Sequence, residues 1–182
     1  MIQYMQKLAC IFLPIFLFCC GLFIPQQKAA ITALNSKNTL QPNDKLQVNY
    51  YSSNLFDKNQ NTFWTEGNKD HRGSFTVAFD KNIKIDEIVI LNGGSGKFFN
   101  RNNRVKEFMI STHGNSHKTV FLKIEDSQKA VSISFQNILF GNKFTISIIS
   151  VYKGSHENNT SMREITFKYK KQKIQITNEH RN

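Results

Sequence analysis

Ser74-Phe75-Thr76-Val77-Ala78-Phe79-Asp80-Lys81-Asn82-Ile83-Lys84-Ile85-Asp86-Glu87-Ile88-Val89-Ile90-Leu91 is the stretch on which the fold turns. Phe75, Val77 and Phe79 alternate with smaller or polar residues. That period of two puts one face of a strand against a core. Ile83 and Ile85 repeat the spacing, and Ile88–Leu91 is a short apolar run of the kind that forms a strand buried on both faces.

The same texture recurs outward along the chain. Val105, Phe108 and Ile110 line Val105–Thr112, although the step from 105 to 108 breaks strict alternation. Val120, Leu122 and Ile124 alternate, as do Val131, Ile133 and Phe135, and Phe144, Ile146 and Ile148. Ile165 and Phe167 line what reads as a last strand. Asn, Asp, Gly and Lys clusters separate these runs, and nothing in the body sustains a helical period. Short alternating strands at this spacing predict an all-β chain, an antiparallel β-sandwich.

The sandwich is expected over Leu46–Lys170, one domain with one core. Phe occurs 16 times against 5 Tyr and 1 Trp, enough aromatic bulk to fill a β core. The three cysteines, Cys10, Cys19 and Cys20, all lie near the N-terminus, so no disulfide or thiolate metal site is expected in the body. The formal charge of +11 favours anionic partners, or serves solubility alone.

Lys7 precedes an apolar run from Leu8 to Ile24. A charged start followed by such a run is the grammar of an export signal, here assigned to residues 1–30. Leu17-Phe18-Cys19-Cys20 resembles a bacterial lipobox, which makes Cys20 the residue to be lipidated. Soluble secretion after cleavage near Ala29 or Ala30, and an uncleaved anchor, are the alternatives. Ile31–Lys45 is polar and reads as a linker that lifts the domain off the membrane. Lys171–Asn182 reads as a polar, frayed tail.

The chain carries no nucleophile elbow, phosphate loop or paired-histidine metal motif, so no enzyme activity is expected. His71, His113, His117, His156 and His180 fall in loops or the tail. Gly93-Gly94-Ser95-Gly96 leads to Phe98-Phe99 and a basic segment, not to a helix N-terminus, and reads as a flexible surface loop.

Three stretches carry a family likeness. Asn54-Leu55-Phe56-Asp57 is followed by Thr62-Phe63-Trp64-Thr65-Glu66-Gly67, then by Asn102-Asn103-Arg104-Val105-Lys106, then by Ser150-Val151-Tyr152-Lys153-Gly154. In this order they resemble discoidin-like domains (coagulation-factor type C, galactose-binding-like), and more closely the glycan-binding, translocating module that accompanies NAD-cleaving toxins. The resemblance covers about Tyr51–Tyr169. It implies a galactose-binding-like jelly roll and a glycan partner, and it brings no catalytic domain with it. Lys58 stands where the family often has glycine, which implies a differently shaped loop. Asn159 and Arg163 stand where the family tends to carry Asp and Ser.

Related sandwiches hold a structural Ca²⁺ beside the opening loop. The resemblance puts Asp57, Thr62 and Glu164 at that site, with Glu164 arriving from the last strand. The alternative is that Asp57 caps its own turn and Glu164 pairs with a lysine. For glycan, a plate for the sugar's C–H face and planar polar groups for its hydroxyls are needed. Trp64, Glu66, Asn103, Arg104 and Tyr152 are the candidates, with Trp64 as core packing and a Glu66–Arg104 ion pair as the alternatives. The loops carrying these residues are expected to gather at one end of the sandwich, and Arg104→Ala is expected to weaken glycan binding while changing stability little.

The competing function is binding to an anionic membrane. Phe98-Phe99 flanked by Lys97, Arg101 and Arg104 reads as apolar spikes with a basic collar. Export argues against nucleic acid, and an adhesive lipoprotein with a protein partner is a further alternative.

Overall fold

The alternation over Ser74–Phe79 becomes half of a long, bent strand. The computed structural model describes residues 24–37, 50–67, 73–114, 117–156 and 159–178. In chain order the strands are β1 (Lys28–Lys37), β2 (Trp64–Thr65), β3 (Ser74–Asn92), β4 (Asn103–Thr112), β5 (Thr119–Lys123), β6 (Val131–Tyr152), β7 (Thr160–Tyr169), β8 (Gln172–Lys173) and β9 (Gln175–Asn178). A 3-10 turn, Ser52–Phe56, precedes β2, and one helical turn, α1 (Phe98–Arg101), precedes β4.

β3 and β6 form one antiparallel ribbon from Ser74↔Ser147 to Ile90↔Val131. Its pairing is interrupted between Ala78 and Ile83 and again between Ile85 and Glu87. Polar Asp80-Lys81-Asn82 is exposed at the first interruption, and there the ribbon bends so that its halves serve two layers. The first layer runs β5-β4-β6-β3-β1-β9 through the Ser74 half, and the second joins the Glu87–Asn92 half to β7. Both layers aim aromatic side chains inward. Phe167 of β7 lies 6.2 Å from both Phe79 of β3 and Phe144 of β6 between ring centroids, and all three are buried. Such pairs add to the burial of apolar area that drives the layers together.

This bend gives the molecule two ends. β2, β4 and β7 meet at one, through Thr65↔Ser161, Asn103↔Thr160 and Arg104↔Ser161. Both termini of β3 arrive there as well: Asn92 pairs with Met162, and the Gly73 carbonyl accepts from Ile148 N. We call this the loop end. The opposite end, the base, holds the ribbon's bend and the Lys170-Lys171 turn between β7 and β8. Ten-residue β7 spans the distance, about 30 Å at the usual strand rise.

Two sequence expectations are corrected here. Ile31–Lys37, expected as linker, is the greater part of β1, which pairs with β3 antiparallel and with β9 in parallel. Ala29 and Ala30, assigned to the export signal, open this strand with 4% and 7% exposure. The pattern Ala-Ala-Ile-Thr-Ala-Leu carries little aromatic or β-branched bulk, so it is the neighbours on either side that fix it as a strand. The segment after Lys170, expected to fray, supplies β8 and β9, with Ile174 buried. β7 is therefore not the last strand. The broken alternation at 105–108 is a pair of register shifts between β4 and β6 around Glu107. Cys20 and the apolar run up to Phe23 lie outside the described residues.

Candidate functional site

Three of the five glycan candidates meet at the loop end, and all five are tied into its framework. Trp64 is fully buried in the core, 5.6 Å from Phe75 in an edge-to-face contact. It offers no ring face to a sugar, and the packing alternative holds. Glu66 is also fully buried, with its backbone N–H donating to Thr160 O at 2.8 Å. A Cβ on Gly73 would lie 2.4 Å from Glu66 Cγ, so only glycine lets the chain pass this side chain.

Asn103 is fully buried, and its Oδ1 accepts from Gly154 N at 2.8 Å. A Cβ at Gly154 would meet Arg101 O at 2.1 Å, so the β6–β7 loop presses directly on the α1–β4 segment. Tyr152 pairs with Arg104 across β4 and β6, and its hydroxyl donates to Ile124 O at 2.9 Å.

Arg104 is 8% exposed. It grips Asp126 with two parallel bonds of 2.7 Å, from Nε and Nη2, while Nη1 donates to the carbonyls of Phe99, Asn102 and Lys153 at 3.2–3.4 Å. Its guanidinium also lies 5.0 Å above the Phe99 ring. The alternative Glu66–Arg104 pair is therefore not formed, and the burial of Arg104 argues against the expectation that Arg104→Ala changes stability little. A buried fork with five partners is a brace.

The side chains these braces leave outward belong to other residues. Ser155 N donates to Asn100 O at 2.9 Å and His156 N to Arg101 O at 3.3 Å, which locks the two loops side by side. Asn100, Lys153, Ser155 and His156 are exposed on them, with Ser155 Oγ 2.6 Å from His156 Nδ1. Of the sequence candidates beside them, Trp64, Glu66, Asn103 and Arg104 are buried and Tyr152 is half-buried. Phe98 and Phe99 are not spikes. Phe99 is 7% exposed beneath Arg104, and half-buried Phe98 packs 5.5 Å from Phe63. Gly93 and Gly94 are likewise buried, while in the rest of the expected surface loop Ser95 is half-buried and Gly96 exposed.

The cation candidates do converge. Asp57 Oδ1 accepts from Asn59 N at 2.8 Å, closing the turn as its alternative reading requires. Thr62 Oγ1 is 2.8 Å from Asp57 Oδ2 and 2.8 Å from Asn59 O. Lys58 takes φ 61°, so the loop keeps the left-handed shape that glycine favours, and the expectation of a different shape fails. Glu164, from β7, reaches Asp57 and not a lysine. Burial first, then the hydrogen bond and charge of Asp57, push its carboxyl up from 4.5 to about 7. Its Oε1 is buried without a hydrogen-bond partner.

Two apposed carboxylates, a hydroxyl and a carbonyl form an all-oxygen set, the donor chemistry of a hard cation such as Ca²⁺. The orphaned Glu164 oxygen and the repulsion with Asp57 are what such an ion relieves, so these residues fit it. Among the described residues, no group of three or more His, Cys, Asp or Glu side chains converges, here or elsewhere, so this site rests on two carboxylates with hydroxyl and carbonyl oxygens.

A two-layer sandwich closed at one end by β2, β4 and β7, with short loops there and a carboxylate pair beside the opening loop, is a discoidin-like domain. The family described as the NAD glycohydrolase translocation F5/8 type C domain matches residues 26–168, and the chain belongs to it. No curated protein matches.

Solved structures share the fold. The CBM32-1 and CBM32-2 domains of Clostridium perfringens ZmpB, in complex with GalNAc, are 17% identical with a TM-score of 0.56 over 75% of this chain and 32% of that one. The chain thus spans about a third of that protein's length. The family 32 module of C. perfringens NanJ, in complex with galactose, is 18% identical with a TM-score of 0.55, over 74% of this chain and 91% of that one. An F5/8 type C domain from Bacteroides fragilis is 10% identical with a TM-score of 0.57, over 82% and 98%. At these identities the likeness establishes the fold.

Proposed function

We propose that this chain is an exported, non-catalytic carbohydrate-binding module that meets glycans with its loop end. The observation that carries the reading is the cross-bracing of the α1–β4 and β6–β7 segments by Asn103 and Arg104. Rigid loops bind with little ordering cost. Asn100, Ser155 and His156 then present planar and hydroxyl hydrogen-bonding groups, and Lys153 adds a charge for acidic sugars. That the ZmpB and NanJ modules were solved with GalNAc and galactose supports a galactose-type ligand. The apolar N-terminal run supports an extracytoplasmic location, with Cys20 as the lipidation site.

Asp57, Thr62 and Glu164 are proposed to hold a structural Ca²⁺ that joins the opening loop to β7. The ion would neutralise the two carboxylates and fix the loop leading to β2.

A glycan array on the full chain, with and without chelator, tests the reading. Binding to galactose-type glycans is expected, with His156→Ala and Asn100→Ala each weakening it by about 0.5–1.5 kcal/mol, the net value of a neutral hydrogen bond. A folded chain that binds no glycan contradicts it.

A further inference from the structure

The base is strongly basic, and no part of the glycan reading uses it. Lys28 opens β1, Lys81 and Lys84 flank the ribbon's bend, Lys170 and Lys171 make the β7–β8 turn, and Lys173 follows. All six are exposed. Lys28 and Lys81 line one concavity with Pro25–Gln27. The Lys84 and Lys170 ammonium groups lie 5.9 and 5.5 Å from the centre of the Tyr169 ring. Lys118 and Lys143 follow at the far end of β4, where their carbonyls accept from Thr112 N and His113 N.

Carboxylates at this end are few and engaged. Asp80 accepts from Ala30 N at 2.9 Å, Asp86 accepts from Lys170 N at 2.9 and 3.0 Å, and Glu87 pairs with Lys168 at 2.7 Å. Apolar side chains stand among the lysines. Phe140, opposite Lys84 in the ribbon, is 46% exposed, and Ile138, in the ribbon's second interruption, is 40% exposed.

The chain's own path adds a second, independent observation. β1 begins at the base, and only Pro25-Gln26-Gln27 separates it from Ile24, the end of the apolar run. The two glutamines are strapped down. Gln26 Nε2 donates to Lys173 O at 2.9 Å, Gln27 Nε2 donates to Lys84 O at 2.9 Å, and Lys84 N returns a bond to Gln27 Oε1 at 2.8 Å. A chain beginning near Ala30 would lose this strap and the first residues of β1, whereas one beginning at Cys20 keeps both. Whether the anchor is a lipid on Cys20 or the uncleaved apolar run, only a few residues then separate it from β1, and the base is the surface brought to the headgroups.

We propose that the base is a docking face for an anionic phospholipid bilayer. Its lysines meet phosphates, Phe140 and Ile138 enter the interfacial zone, and the loop end is held pointing away. This differs from a membrane reading through Phe98-Phe99, which lie at the other end.

The test uses the full chain in vesicles of phosphatidylcholine, alone or with about a third phosphatidylglycerol. The apolar run then holds the protein on both, and only the headgroups differ. Phe140→Trp provides a reporter, because fully buried Trp64 stays insensitive to lipid. A blue shift, with quenching by brominated lipid, is expected on the anionic vesicles only and is expected to fade in high salt. K84E with K170E abolishes it, and the charge-matched pair K123E with K129E, away from the base, preserves it. In the chain that keeps Phe140, hydrogen exchange at Lys170–Lys173 slows on anionic vesicles, a readout that does not depend on the added tryptophan. An equal response on both vesicle types, an equal loss in both charge-reversed pairs, or the same shift from a soluble acidic polysaccharide overturns the proposal.

Discussion

At the loop end, Arg104 is 8% exposed and meets Asp126 twice, three carbonyl oxygens and the face of Phe99. At the base, Lys84 and Lys170 are exposed, with their ammonium groups over the ring of one half-buried tyrosine. Both ends are basic, yet the charge does different work. A planar fork with fixed donors can be buried and used to set loop positions, whereas a point charge on a flexible stem stays in water and serves attraction. Residue type and position in the fold therefore act together in separating framework from exposed surface.

That contrast can be broken most forcefully at Trp64. As a fully buried side chain in the core cluster, its replacement by Ala should cost about 3–5 kcal/mol in chemical denaturation. A variant that keeps its stability and loses only sugar binding would return Trp64 to the role of a binding plate.

The cation site is next. Saturating Ca²⁺ should stabilise the chain by about 2.7 kcal/mol at a hundred times its Kd. Glu164 titrates near 7 when folded, above the 4.5 of an ordinary carboxylate. The folded state thus binds more protons between these values, and stability without calcium falls as pH rises across that window. Calcium favours the ionised form, so its effect on Tm should grow with pH from about 5 to 8. Melting curves that are unchanged by calcium at every pH remove Asp57, Thr62 and Glu164 from the metal site.

Arg104→Ala should follow, at about 2 kcal/mol of stability, since Asp126 at 35% side-chain exposure regains water while the carbonyls lose a charged donor. Arg104→Lys should recover only part, because an ammonium cannot reproduce the fork. At the base, Lys84→Ala should change stability by less than about 0.5 kcal/mol, as an exposed side chain usually does. A larger loss there would erase the distinction between the two ends.

Much of the fold was legible because β3, β4, β6 and β7 carry their own alternation. β1 was not, since its alanines and single isoleucine become a strand only between β3 and β9. β9 was missed because four residues, Gln175-Ile176-Thr177-Asn178, are too short to show alternation. Of the proposed cation site, the closeness of Glu164 to the Asp57 loop was legible only through the family resemblance, because no local pattern ties a β7 carboxylate to a loop about a hundred residues earlier. The proposed sugar-facing surface was not. Asn100, Ser155 and His156 sit in plain polar loops, and only the backbone bonds between those loops mark them as neighbours.

The most direct test of the central claim is a galactose-type glycan titration of three folded full-length proteins: the parent chain, Asn100→Ala with His156→Ala, and Lys84→Glu with Lys170→Glu. The account predicts that the loop-end pair loses most of its affinity, about 1–3 kcal/mol if the two hydrogen bonds add, while the base pair binds as the parent does. Sugar binding that survives the loop-end pair and is lost in the base pair contradicts it.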